Sequence, residues 1–106
     1  MSIDLLNNCE GFEWDEGNVT KNWEKHKVTR IECEQVFFNK PFIVGDDPKH
    51  SKKEKRWYLL GQTDQDRLIF IVFTIRGKLI HIISEQDMNR NERKQYDEQI
   101  KKDTEL

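Results

Sequence analysis

Apolar residues concentrate in one stretch of this chain. Arg67–Ser84 reads RLIFIVFTIRGKLIHIIS: an apolar run, an Arg-Gly-Lys break, then a second apolar run. Nearly all its apolar members are β-branched or aromatic, which suits a pleated surface covered on both faces. Gly77 ahead of Lys78 supports a two-residue hairpin turn with glycine first, at φ above zero. The stretch therefore predicts the central hairpin of an antiparallel sheet. Its few polar members, Thr74, Arg76 and His81, stand out against that background.

The flanking patterns supply the other elements. Residues 1–11 offer little beyond Leu5-Leu6 and predict a loose lead-in, while Phe12-Glu13-Trp14 alternates as a short strand does. Asp15 suits an N-cap, with Glu16 in the first turn, where a carboxylate favours the helix dipole. From Glu16 to about Lys27, Val19, Asn22, Trp23 and His26 recur at i, i+3, i+4 and i+7, on one helical face. Thr29-Arg30-Ile31-Glu32 is a capping box, so a second helix follows, burying Cys33, Val36 and Phe37 and stopping before Pro41. Phe42–Val44 suits an edge strand, residues 46–55 a loop, Arg56–Thr63 a strand and Asp64-Gln65-Asp66 a turn. Asn89-Arg90-Asn91-Glu92 opens a last helix to about Asp103, with Tyr96 and Ile100 as its thin apolar face. The expected architecture is α+β: two N-terminal helices, an antiparallel meander sheet of three to four strands, and a C-terminal helix. One domain is expected over residues 1–106, with 1–11 and 104–106 loosely ordered.

Composition narrows the function classes. Charged residues make up 36% of the chain, and mean hydropathy is −0.92. No apolar run approaches the roughly 20 residues of a membrane span, and the acidic start lacks a signal peptide's basic region. A cytoplasmic protein without membrane attachment is expected. Cys9 and Cys33 lack CxxC or CxxxH spacing and read as ordinary thiols, neither a disulfide pair nor zinc ligands. No P-loop, GxGxxG, HExxH or GxSxG occurs, so nucleotide-dependent, zinc-protease and hydrolase-elbow chemistries have no support.

The net charge of −2 is unevenly placed. Residues 1–18 carry the carboxylates of Asp4, Glu10, Glu13, Asp15 and Glu16 and no Lys or Arg, whereas 49–56 reads KHSKKEKR. Such a basic strip can engage phosphates, or can be a solvated loop.

Turn chemistry then sets a register. With Gly77-Lys78 as the turn, Arg76 faces Leu79, Thr74 faces His81 and Val72 faces Ile83. With a three-residue turn at 64–66, Thr63 faces Arg67, Arg56 faces Thr74, and Glu54 reaches Arg76. The period of two sorts Trp57, Phe73, Ile75, Ile80 and Ile82 onto one apolar face. Glu54, Arg56, Thr74, Arg76 and His81 fall on the other, clustered at one end.

Two arginines, a histidine and a carboxylate around a hydroxyl suit a phosphodiester. Arg56 and Arg76 can hold phosphate and the extra charge of a pentacoordinate transition state. His81 or Glu54 can move the proton, and the nucleophile is then the RNA's own 2′-hydroxyl, with no metal or cofactor needed. The bland reading of the same row is a rim of charge pairs at the sheet's solvent end. His26, beside Lys25, can join the site or simply pack beside Trp23. Lys25, Lys52, Lys53, Lys55 and Thr74 are the candidate RNA contacts. Trp14, Trp23 and Trp57 read as core.

Read together, an ordered set of residues resembles a known family. Its members here are Phe12-Glu13-Trp14-Asp15, Asn22 with Lys25-His26, Glu34, Val36-Phe37, Arg56-Trp57, Gly61, Thr74 with Arg76-Gly77, Ile82-Ile83-Ser84, and Glu92-Arg93 with Tyr96. From Phe12 to about Tyr96 the set resembles the BrnT-type toxins of bacterial type II toxin–antitoxin modules. The resemblance implies a RelE-like fold, metal-independent RNA cleavage and a place in stress response. It also implies a BrnA-type antitoxin of ribbon–helix–helix type, through which alone operator DNA is bound.

The chain departs from that pattern in four places. His81 stands where an arginine is common, and Ser84-Glu85-Gln86 where Ser-Ala-Arg is common. Lys55 replaces an acidic residue, leaving Glu54 as the nearest carboxylate, and Lys27 replaces a glycine. Gln86 cannot supply an arginine's charge and Glu85 repels phosphate. This motivates one alternative, a catalytically weakened toxin-fold protein that acts mainly by binding its antitoxin. A second alternative is a small RNA-binding module using residues 49–56.

Overall fold

The computed structural model describes residues 4–14, 27–50 and 53–104. The expected helix at 16–27, with its Asp15 cap, Val19, Asn22, Trp23, Lys25 and His26, falls almost wholly outside them. A one-turn helix α1 (Asp4–Asn7) leads into strand β1 (Gly11–Glu13). Helix α2 (Arg30–Phe38) follows, then β2 (Ile43–Asp46), β3 (Trp57–Gln62), β4 (Leu68–Arg76), β5 (Leu79–Asp87) and helix α3 (Arg90–Thr104).

The capping boxes form as the sequence predicts. The Thr29 backbone N–H donates to Glu32 Oε1 at 3.0 Å and the Glu32 N–H donates to Thr29 Oγ1 at 3.1 Å. At α3, Asn89 N–H donates to Glu92 Oε1 at 2.9 Å and Glu92 N–H to Asn89 Oδ1 at 2.8 Å. Each exchange satisfies backbone donors that the first helical turn leaves without intrahelical partners.

The sheet corrects the expected topology. It has five strands in the order β1-β5-β4-β3-β2, and it is mixed. Strands β2 to β5 form the predicted antiparallel meander, with Ile43–Asp46 on the outer edge. The Phe12 strand, however, pairs parallel to β5, matching Gly11 to Leu79, Phe12 to Ile80 and Glu13 to His81. Alternation along three residues gives a strand but not the edge it joins, so the fifth strand's position was not readable. In the lead-in, Leu6 and Cys9 pack against the core.

Both predicted turns set the register correctly near the hairpin. Gly77 has φ +63°, the region where a side chain is disfavoured. Thr74 lies opposite His81 and Arg76 opposite Leu79. Farther along, a bulge intervenes between Val72 and Phe73, so Val72 faces Ser84 and not Ile83. The extra residue on β5 exchanges the faces of everything after it. Glu85 and Asp87 thereby join the α2 face and Gln86 the opposite one.

Each face has its own core. On one side α2 packs Cys33, Val36 and Phe37 against Leu59, Ile69, Ile71, Phe73, Ile80 and Ile82. Edge-to-face contacts run from Phe12 to Phe37 and from Phe37 to Phe73, both with centroids 5.3 Å apart. Trp57 stacks on Phe73 at 5.9 Å, completing a line of rings across the sheet. Gly61 lets α2 approach closely, since a Cβ there would come within 2.7 Å of Val36 Cγ1. On the other side α3 buries Tyr96 and Met88 against Leu60, with Tyr58, Leu68, Phe70 and Ile100 around them. The Tyr96 hydroxyl donates to the Pro41 carbonyl at 2.8 Å. No described helix is long and apolar enough to cross a membrane.

Candidate functional site

α3 packs on the sheet face opposite α2, around Leu60, Phe70 and Leu68. At the hairpin end of the same face the polar row assembles as the register requires. Arg76 at the end of β4 holds Glu54 with two donors: Nη2 donates to Oε1 at 3.1 Å and Nε to Oε2 at 3.4 Å. Its third donor, Nη1, reaches Glu13 Oε1 at 3.4 Å. The same Glu13 oxygen lies 3.2 Å from His81 Nδ1. Glu54, Arg76, Glu13 and His81 thus form one continuous chain of contacts.

Exposure differs along the row. The side chain of His81 is only 9% exposed, against 42% for Glu13 and 47% for Arg76. The Arg76 hydrogen bond, followed by the charges of Arg76, Arg56 and His81, holds the Glu54 carboxyl below the usual carboxylate range. The bond to Glu54 likewise raises Arg76. Glu54 is therefore a poor proton acceptor here.

Glu13 is the member that the residue reading did not assign a role. Its placement depends on β1 being anchored from both sides. The Glu10 N–H donates to the Lys78 carbonyl at 2.7 Å, and Phe12 inserts against Phe37 and Phe38. Trp14 Nε1 donates to Glu34 Oε2 at 2.7 Å, and Arg30 lies over the Trp14 ring. With Phe12 directed into the α2 core, strand alternation turns Glu13 to the other face, beside His81. Only the alternation of Phe12-Glu13-Trp14 hinted at this, and it carried no information about the partner strand.

The remaining candidates fare differently. Arg56 enters β3 half-buried beside the row, with Nε enclosed. Thr74, expected as an RNA contact, is 2% exposed, and its hydroxyl donates to the Lys55 carbonyl at 2.6 Å, tying β4 to the entry of β3. Lys55 Nζ sits 3.3 Å from Asp46 and lies over the Trp57 ring, so much of its charge is answered locally. Lys53 is exposed. Lys25, His26 and Lys52 lie outside the described residues. Among the described residues no group of three or more His, Cys, Asp or Glu is arranged to hold a metal ion. Burial, with the nearby Glu85 and Glu34 carboxyls, pushes the Cys33 thiol up, so it is a poor nucleophile.

The chain matches the family model for the BrnT ribonuclease toxin of type II toxin–antitoxin systems over residues 14–92. It belongs to the BrnT family. A type II toxin has an antitoxin partner by definition of the module. The crystal structure of the Brucella abortus ribonuclease toxin BrnT is similar in fold, with a TM-score of 0.54 at 18% identity. That alignment covers 76% of this chain and 97% of the Brucella chain. No curated protein sequence matches the chain.

Two departures from the BrnT pattern change meaning once placed. Gln86 pairs with Phe70 beside the α3 core, five residues along β5 from His81, or roughly 16 Å at strand spacing. It does not enter the Arg76–His81 row. Glu85, expected to repel phosphate, is 1% exposed on the α2 face and does not face the row either. Burial pushes its pKa up to about 7.

Proposed function

We propose that this BrnT-family chain is a metal-independent endoribonuclease whose site is the Arg76–His81 row at the hairpin end of the sheet. One observation carries the reading: the register puts the Arg76 guanidinium and the nearly buried His81 imidazole at the hairpin end of the sheet, both against Glu13 Oε1, with the Arg56 charge acting on the neighbouring Glu54. In the proposed reaction His81 accepts the proton of an RNA 2′-hydroxyl, and that oxygen attacks the adjacent phosphorus. The P–O5′ bond breaks, the leaving 5′-oxygen takes a proton, and the products are a 2′,3′-cyclic phosphate and a 5′-hydroxyl. Arg76 and Arg56 stabilise the charge that builds on the non-bridging oxygens. Glu54 keeps Arg76 in place before RNA arrives. Lys53, together with Lys25 and Lys52, supplies the electrostatic approach for RNA. The partner in this reading is a BrnA-like ribbon–helix–helix antitoxin, which alone contacts operator DNA, and the setting is the bacterial cytoplasm.

The test is incubation of the purified protein with RNA in EDTA. Cleavage to cyclic-phosphate ends is expected, with Arg76→Ala lowering the rate by about 100-fold or more. Absence of cleavage, or a rate indifferent to Arg76→Ala, sinks the reading. A second reading draws on the two carboxylates that already occupy Arg76. In that case phosphate competes poorly and the chain acts mainly by binding its antitoxin. Growth arrest on expression without the antitoxin, relieved by Arg76→Ala, decides against it.

A further inference from the structure

Glu13 stands outside the roles assigned so far, yet its Oε1 lies within reach of both Arg76 Nη1 and His81 Nδ1. We propose that Glu13 is a positioning residue that fixes His81 as its Nδ1–H tautomer and so presents Nε2 to the RNA 2′-hydroxyl. The inference deepens the ribonuclease reading and rests on it for the role of Nε2.

The argument begins with burial. His81 Nδ1 is enclosed, and among the described residues it has no completed hydrogen bond. A buried ring nitrogen left without a partner is costly, so a nearby group must serve it. Glu13 Oε1, at 3.2 Å, lies within range. A carboxylate accepts hydrogen bonds and cannot donate them, so the proton must reside on Nδ1. In the neutral ring that leaves the lone pair on Nε2, the form a general base requires.

Two features hold Glu13 to the task. Arg76 Nη1 donates to the same oxygen, which restrains the carboxylate from swinging toward solvent. The parallel pairing of Glu13 with His81 sets the two backbones in register, and the rings of Phe12 and Trp14 anchor β1 on either side of it. When Nε2 takes the 2′-hydroxyl proton the ring becomes an imidazolium. The adjacent Glu13 carboxylate then stabilises that charge, and the proton on Nδ1 stays where it was.

Long-range nitrogen–proton NMR on histidine-labelled full-length protein tests this without RNA. With the ring neutral, wild-type protein is expected to carry its proton on Nδ1, against the usual preference of free imidazole for Nε2. Glu13→Ala should return it to Nε2, while Glu13→Gln, which keeps a carbonyl acceptor, should hold Nδ1–H. In the EDTA cleavage assay Glu13→Ala should lower kcat about 100-fold with KM nearly unchanged. Adding Glu13→Ala to His81→Ala should then cost little more than His81→Ala alone. An Nε2–H ring in the wild type, or a tautomer indifferent to Glu13→Ala, overturns the inference, and the wild-type spectrum decides even if a variant fails to fold. A wild type with Nδ1–H, a tautomer that switches in Glu13→Ala, and no RNA cleavage overturns the ribonuclease reading while leaving Glu13 as the partner that orients His81.

Discussion

Two arginines end the same strand in opposite ways. Arg67, just before β4, donates Nε to Asp87 Oδ1 at 2.8 Å and Nη2 to Asp87 Oδ2 at 3.1 Å. Its Nη1 reaches the Lys27 carbonyl at 2.8 Å and Glu32 Oε2 at 3.1 Å. Arg76, nine residues on and roughly 30 Å away at strand spacing, also holds two carboxylates, but at 3.1 to 3.4 Å. Arg67 is 28% exposed and Arg76 is 47% exposed. Among the described residues Arg67 holds Glu32 in the first turn of α2, the Lys27 carbonyl just ahead of that helix and Asp87 at the end of β5, so it fastens α2 to the sheet. The partners of Arg76 include a carboxylate shared with a nearly buried histidine. The same residue type with the same partner type is a strut at one end and an adjustable contact at the other.

The largest effect should therefore come at the Arg76 end and appear in chemistry alone. Arg76→Ala is expected to reduce cleavage about 100-fold or more while leaving the urea midpoint where it was, because exposed ion pairs add little to stability. A midpoint that falls as far as for Arg67→Ala would make Arg76 a second strut.

Glu85 sharpens the contrast on the strut side. Two residues before Asp87 on the α2 face, it is buried, and burial pushes its pKa up to about 7. A raised carboxyl binds its proton more tightly in the folded chain. Its stabilising contribution is full below the unfolded value near 4.5 and is lost as pH rises toward 7. Unfolding free energy should drop by about 3 kcal/mol between pH 4 and pH 8 from this group alone. Glu85→Gln should flatten that slope when urea curves are compared at the two pH values. An unchanged slope would move the titration elsewhere.

Arg67→Ala comes next, with an expected loss of about 2 kcal/mol for a part-buried, multiply bonded guanidinium. Cleavage per folded molecule should stay at the wild-type level. A loss of cleavage without a loss of stability would erase the distinction between the two ends.

How much of this was legible beforehand follows from where the information sits. Both turns, at Asp64–Asp66 and Gly77-Lys78, are written in local chemistry, and they placed Arg56, Thr74, Arg76 and His81 together. Both capping boxes were readable for the same reason. The bulge at Val72/Phe73 has no signal in a run of aliphatic residues, so the positions of Glu85 and Gln86 could not be read. The parallel docking of β1 is a long-range event, and with it Glu13 was out of reach. Thr74 faced the right way, but its hydroxyl is taken up by the Lys55 carbonyl, a contact no pattern encodes.

The smallest expected effect tests whether the strut is truly one unit. Thr29 caps α2 by exchanging hydrogen bonds with Glu32, and the other oxygen of Glu32 accepts from Arg67. Thr29→Ala alone should cost about 1 kcal/mol, the usual value for a lost N-cap. Because both side chains orient the same carboxylate, the double variant Thr29→Ala/Arg67→Ala should lose less than the sum of the singles, by about 0.5 kcal/mol or more. Thr29→Ala combined with Arg76→Ala shares no partner and should be additive. Urea unfolding of the six proteins in the two cycles measures both couplings. Equal couplings in the two cycles would mean that the sheet transmits strain along its whole length, and the separation of strut from site would fail.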